Sequence, residues 1–198
     1  MNRDELIPLF SKPVFKSKLT TIDIDLSSIT WHRNYQNYIS SNQDVLSLDI
    51  FNKLSTEICE KVAEYFYGIM QTSQQTEIYI TESWLNKTEK GQSHHRHWHP
   101  NSVISGVVYL AGDPESGHLR FITSQYNTLE FEIAETNIYN AKSWATPGVP
   151  GSIILFPSNL EHLVDEYHGD VPRISLSFNT FVKGTINNLP LTRLSVNA

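Results

Sequence analysis

The sequence predicts a mainly β protein, an antiparallel barrel or jelly roll with one helix packed on the outside of a sheet. Three observations lead there. Apolar residues recur at intervals of three and four through Phe51, Leu54, Ile58, Val62 and Phe66, and no later stretch repeats that period as strongly. From Thr76 onward, short alternating or continuous apolar runs are separated by turns rich in glycine, proline and aspartate. The chain has 198 residues, 39% of them hydrophobic, which is enough for one domain spanning 1–198 with a substantial core.

The elements follow in order. Residues 13–19 read as an edge strand, because Pro13 is tolerated there. Residues 28–44, rich in Asn, Ser and Gln, read as a loop holding Trp31 and His32. The helix spans Ser47 to Met70, with Ser47 placed as its N-cap and Gly68 weakening its far end. Cys59 within it reads as a small buried or half-buried side chain. Residues 77–85 alternate as a strand, and 86–91 form a polar turn. A histidine-bearing strand leads into a continuous apolar run at 103–110, the pattern of a strand buried on both faces. Short strands are expected at 119–122, 129–134, 152–156, 161–167 and 173–182. The aromatic-containing segments 28–42 and 139–150 are expected to frame the entrance to any site.

Composition excludes several classes. The net charge of −6 argues against a general nucleic-acid or anionic-membrane surface. With one cysteine, Cys59, the chain forms no internal disulfide and no cysteine-based zinc site. No apolar run reaches membrane-spanning length, and the opening MNRDELIPLF lacks the apolar core of a secretion signal. The expectation is a cytoplasmic protein. A homodimer through the helix or an edge strand is left open.

The chemistry concentrates at 91–110, GQSHHRHWHPNSVISGVVYL, which holds His94, His95, His97 and His99. Alternation along a strand would put His95, His97 and His99 on one face, with His94 and Trp98 turned away and Trp98 in the core. Two histidines at i and i+2 can reach one metal ion. His95 and His99 compete as partner of His97, and the pair 97/99 is preferred because it directly precedes Pro100-Asn101-Ser102. The best candidate for a third ligand is His162, which follows a buried strand and a proline turn. Two ligands from one strand and one from a distant strand leave part of the metal open, whereas a structural zinc site closes with four. Arg173 and Ser175 share one face of a later strand. A guanidinium facing a barrel interior is costly unless an anion meets it, and beside a hydroxyl it receives a carboxylate well. Asn101 shares the expected ligand face and could hold substrate. His118 and His168 read as surface residues.

The linked order of these pieces resembles the iron(II)/2-oxoglutarate-dependent oxygenase superfamily, in particular a subgroup of 2OG-Fe(II) oxygenases found in bacteria and marine phages. The resemblance is carried by Trp84-Leu85-Asn86, Gly91-Gln92, His97-x-His99-Pro100-Asn101-Ser102, Ser105-Gly106-Val107, Tyr109-Leu110, Ser116-Gly117, Phe156-Pro157 before His162, and Arg173-x-Ser175. Pro8 to Val14 also fits. It implies a double-stranded β-helix, the cupin-like jelly roll. It assigns His97, His99 and His162 to Fe(II), and Arg173, Ser175 and Tyr109 to 2-oxoglutarate, with ascorbate as a reductant. The implied reaction hydroxylates a small molecule or a protein side chain and releases succinate and CO2. One departure stands out: the superfamily pattern has a carboxylate where this chain has His99. Three-histidine iron sites also occur in cupin-type dioxygenases that use no 2-oxoglutarate. A second enzyme class therefore stays open, as does a non-catalytic ligand-binding jelly roll. Arg173 with Ser175 favours the 2-oxoglutarate class.

Overall fold

The computed structural model describes residues 7–123 and 129–197. Most of the N-terminal stretch read for a secretion signal therefore lies outside the described residues. Among the described residues, twelve strands form two antiparallel sheets. In chain order they are β1 (Phe15–Lys18), β2 (Trp31–Asn34), β3 (Asn37–Ser40), β4 (Thr76–Thr88), β5 (His94–His97), β6 (Ile104–Ala111), β7 (Leu119–Ile122), β8 (Ser143–Thr146), β9 (Ser152–Pro157), β10 (His162–Val164), β11 (Arg173–Asn187) and β12 (Leu194–Val196). The large sheet runs β1-β9-β6-β11-β4-β3-β2, with β12 pairing onto β11. The small sheet runs β5-β10-β7-β8. This is the double-stranded β-helix that the sequence led us to expect.

Strand alternation divides the interior into two cores. From β6, Ile104, Val108 and Leu110 point to one side of the large sheet, joined by Ile153, Leu155, Leu176 and Phe178. The helix α1 (Asn52–Ala63) covers that side with Leu54, Ile58 and Val62, spaced by four. Burying each such side chain contributes about 1.5–3 kcal/mol. Val107 and Tyr109 of β6 point the other way and meet Leu119, Phe121, Ile154, Phe156 and Leu160 between the two sheets. The continuous apolar run of β6 thus serves two cores at once. Gly106 is required where it lies opposite Phe178 of the neighbouring β11, because a Cβ there would overlap the Phe178 ring.

Several expectations change. Residues 28–44 form a hairpin, β2–β3, which extends the large sheet and packs half-buried Trp31 against the core. Its two-residue turn is made by Tyr35 at φ 35° and Gln36, without the glycine that usually signals such a turn. Residues 129–134 form no strand and are exposed. The loop expected at 139–150 contains β8, and the strand expected at 161–167 shortens to β10. The helical stretch opens with two 3-10 turns, Val45–Ser47 and Asp49–Phe51, and closes with a π-helical turn, Glu64–Ile69. Ser47 does not cap α1: its hydroxyl donates to the Asp44 carbonyl. Cys59 is exposed. Among the described residues, no helix is long and apolar enough to cross a membrane.

Candidate metal and co-substrate site

The small sheet brings the distant histidines together. β5 and β10 pair antiparallel with His97 opposite His162. His99 follows β5 in a turn, anchored by its backbone N–H donating to the Ser158 carbonyl at 3.0 Å. One ligating atom from each of His97, His99 and His162 lies within 4.8 Å of the others. The Nε2 atoms of His99 and His162 approach to 3.3 Å. The other ring nitrogens are held from outside. His97 Nδ1–H donates to the His95 carbonyl at 2.7 Å, and His162 Nδ1–H donates to the Leu160 carbonyl at 2.9 Å. Such bonds fix the tautomer and leave Nε2 as the lone-pair donor, as metal-ligating imidazoles require. His99 hydrogen-bonds to Asn179, whose amide in turn donates to Glu82 at 2.7 Å.

Burial keeps these rings neutral. It brings His162 down to about 3 and His99 to about 4, with neighbouring imidazoles adding to the effect, and it also lowers His97. A neutral imidazole is the form that binds a metal ion. Among the described residues, no carboxylate joins the three converging imidazoles. Glu161 pairs with Arg96, and Asp165 is held by Arg120 at 2.7 Å and 3.0 Å.

A cavity extends inward from the histidines, lined by Tyr109, Ser175, Asn86, Thr88 and Arg173 among others. Register explains the lining: Ser175 of β11 lies opposite Tyr109 of β6 and Asn86 of β4, and Arg173 lies opposite Thr88. Arg173 is 3% exposed. It donates to the Gly117 carbonyl and to Thr88 Oγ1, and its guanidinium stacks over the Tyr167 ring at 5.3 Å. Its Nε has no partner, and no carboxylate pairs with it among the described residues. The one other buried side-chain atom left without a partner there, Asn86 Oδ1, belongs to a residue lining the same cavity.

On the opposite side of the histidines a cleft of about 770 Å³ opens to solvent. Trp84, Trp98, Asn101, Asn179 and Phe181 line it together with His94, His97 and His99. Asn101 is exposed, in a left-handed turn at φ 56°. Trp98, expected in the core, is 55% exposed on this cleft.

The arrangement along β5 differs from simple alternation. His162 and Val164 are two apart on β10, but their partners His97 and His94 are three apart on β5. This β-bulge brings His94 onto the cavity side with His97 and leaves His95 exposed, its ring against Tyr35 at 5.5 Å. His95 therefore lines neither cavity, and His94, expected to point away, lines both. A two-against-three mismatch between distant strands has no sequence signal. His118 is half-buried and away from the cavity, and His168 is exposed beside Glu166.

The sequence family described as "Putative 2OG-Fe(II) oxygenase" matches residues 82–179, which hold all three converging histidines, Arg173 and Ser175. Over residues 82–179 the chain is a 2OG-Fe(II) oxygenase family domain. Enzymes of this family take iron(II) and 2-oxoglutarate, and the cavity fits both, with three imidazoles at one end and an unpaired buried guanidinium at the other. Among solved structures, a Pseudomonas putida prolyl-4-hydroxylase is similar over 85% of this chain and 93% of that one, at 14% identity and TM-score 0.56. An oxidoreductase of the 2OG-Fe(II) oxygenase family from Burkholderia pseudomallei covers 78% and 72%, at 13% identity and TM-score 0.56. HygX from Streptomyces hygroscopicus, solved with nickel, 2-oxoglutarate and hygromycin B, covers 78% and 74%, at 11% identity and TM-score 0.54. At these identities the likeness is one of fold. No curated protein sequence matches the chain.

Proposed function

We propose that this oxygenase hydroxylates a substrate held in the outer cleft, acting as a single domain over residues 1–198. His97, His99 and His162 hold Fe(II), and Arg173, Ser175 and Tyr109 hold 2-oxoglutarate. The observation that carries the reading is Arg173, a buried cation with no counter-ion among the described residues, in one cavity with three convergent imidazoles. Leaving a charge unpaired in a protein interior costs several kcal/mol unless a ligand completes it.

Each part of the site has a task. The backbone carbonyls of His95 and Leu160 hold the His97 and His162 tautomers. Arg173, fixed by Gly117 and Thr88, offers its free N–H to the distal carboxylate, and Ser175 adds a hydroxyl beside it. Tyr109, 2% exposed and raised in pKa by burial, keeps its phenol protonated and available as a donor. Trp84 stacks on His99 at 5.9 Å, closing one wall against water. When bound, iron and 2-oxoglutarate supply the oxidising chemistry, in which O2 is consumed, 2-oxoglutarate yields succinate and CO2, and the substrate gains a hydroxyl. Asn101 and Trp98, on the outer cleft, are positioned to meet the substrate, which is a small molecule or a protein side chain. The single exposed thiol, Cys59, fits a reducing cytoplasm.

The test is direct. Protein supplied with Fe(II), ascorbate and 2-oxoglutarate should release succinate, slowly without substrate. The Arg173→Ala and His162→Ala variants should release at least tenfold less. A cupin-like enzyme acting without 2-oxoglutarate would bind metal and tolerate loss of Arg173; the buried, unpaired state of that residue speaks against it.

A further inference from the structure

We propose that His94 is a co-substrate-binding residue, its Nε2–H donating to the keto-acid carboxylate of 2-oxoglutarate. This rests on the function proposed above, and it concerns a residue outside the metal and Arg-x-Ser motifs. Three observations carry it. The bulge in β5 turns His94 into the cavity that also contains Arg173, with its ring 4.8 Å from that of His97. His94 therefore stands at the metal end of the cavity. Its Nδ1 lies 3.4 Å from Asn37 Nδ2. An amide nitrogen only donates, so Nδ1 accepts and the ring hydrogen sits on Nε2. The amide is oriented by Asn34 Nδ2 donating to Asn37 Oδ1 at 3.4 Å, and Asn37 is 2% exposed.

The donor inventory points the same way. Four imidazoles line the cavity. The Nδ1–H groups of His97 and His162 are committed to backbone carbonyls, and His99 is committed to Asn179. Their remaining nitrogens converge as metal-facing lone pairs. His94 alone presents an N–H that none of these bonds uses. 2-Oxoglutarate carries two carboxylates. Arg173 meets one, and the other, desolvated beside the metal, needs a donor of its own. The hairpin β2–β3 thereby joins the active site, because Asn37 at the start of β3 sets the tautomer of His94.

The experiment measures equilibrium binding to Fe(II)-loaded protein without oxygen, by calorimetry, with 2-oxoglutarate and with succinate as probes. Succinate has the carboxylate for Arg173 but no keto-acid end. His94→Ala should raise the Kd for 2-oxoglutarate by about tenfold or more, the effect of losing a hydrogen bond to a charged group. Succinate affinity and iron content should stay as in the wild type. His94→Gln, which keeps an N–H donor and disturbs folding less, should recover part of the loss. The inference is overturned if both variants bind 2-oxoglutarate as the wild type does, if succinate weakens equally, or if iron is lost, which would make His94 a ligand. If the wild type itself binds no 2-oxoglutarate, the functional proposal fails instead.

Discussion

Arg173 shows how a single residue can be selected against stability. Its guanidinium is buried, holds two neutral acceptors and lacks a carboxylate partner among the described residues. Replacing a whole buried ion pair by apolar side chains of similar volume is often neutral or stabilising, by about 1–4 kcal/mol, and loss of Arg173 would strand no carboxylate among the described residues. Arg173→Met should therefore leave the ligand-free protein as stable as the wild type or more so in chemical denaturation, while abolishing 2-oxoglutarate binding. A large loss of stability would instead mean that the guanidinium holds β11 to the Gly117 turn. The histidines give a pH signature. In the folded apo protein His162 stays neutral down to about 3 and His99 to about 4, mainly through burial, whereas the ordinary value is 6.5. Below 6.5 the unfolded chain takes up protons that the folded chain refuses, so stability falls as pH drops from there toward 3–4. Above neutrality the contribution is flat. Fe(II) binds rings that are already neutral in the folded protein, so it should raise the denaturation midpoint by a near-constant amount from neutrality down to about pH 5, and the gap between apo and iron-loaded protein should close as pH falls toward 3–4.

Elements fix where these residues meet. β6 can lie between two cores because Gly106 leaves room for Phe178 of the neighbouring β11. Gly106→Ala should destabilise by about 1–3 kcal/mol through overpacking, with Phe178→Leu restoring part of the loss. Additivity of the two changes in urea denaturation would contradict the contact. Legibility followed the same physics. The helix and β6 were readable because their periods are strong. The convergence of His97, His99 and His162, and the inward facing of Arg173 and Ser175, were readable because histidines at spacing two stay close together and a polar residue on an inward face stands out. The β2–β3 hairpin was not, since its turn is Tyr35-Gln36 and its strands are largely polar. His94 was misplaced because a bulge depends on the partner strand, and residues 129–134 alternate without forming a strand.

At the scale of the molecule, one core lies under the helix and the other between the two sheets, and the candidate site also lies between the sheets. The small sheet contributes His97 and His162, and the large sheet contributes Arg173, Ser175 and Tyr109. A ligand set bridging both sheets should tie them together: iron with 2-oxoglutarate at a hundred times its Kd should stabilise the fold by about 2.7 kcal/mol beyond iron alone. The most direct measurement is anaerobic calorimetry of 2-oxoglutarate against the protein with and without Fe(II). Binding should require the metal and should vanish in both His162→Ala and Arg173→Ala. Binding that is independent of iron, or that survives loss of Arg173, would contradict the account.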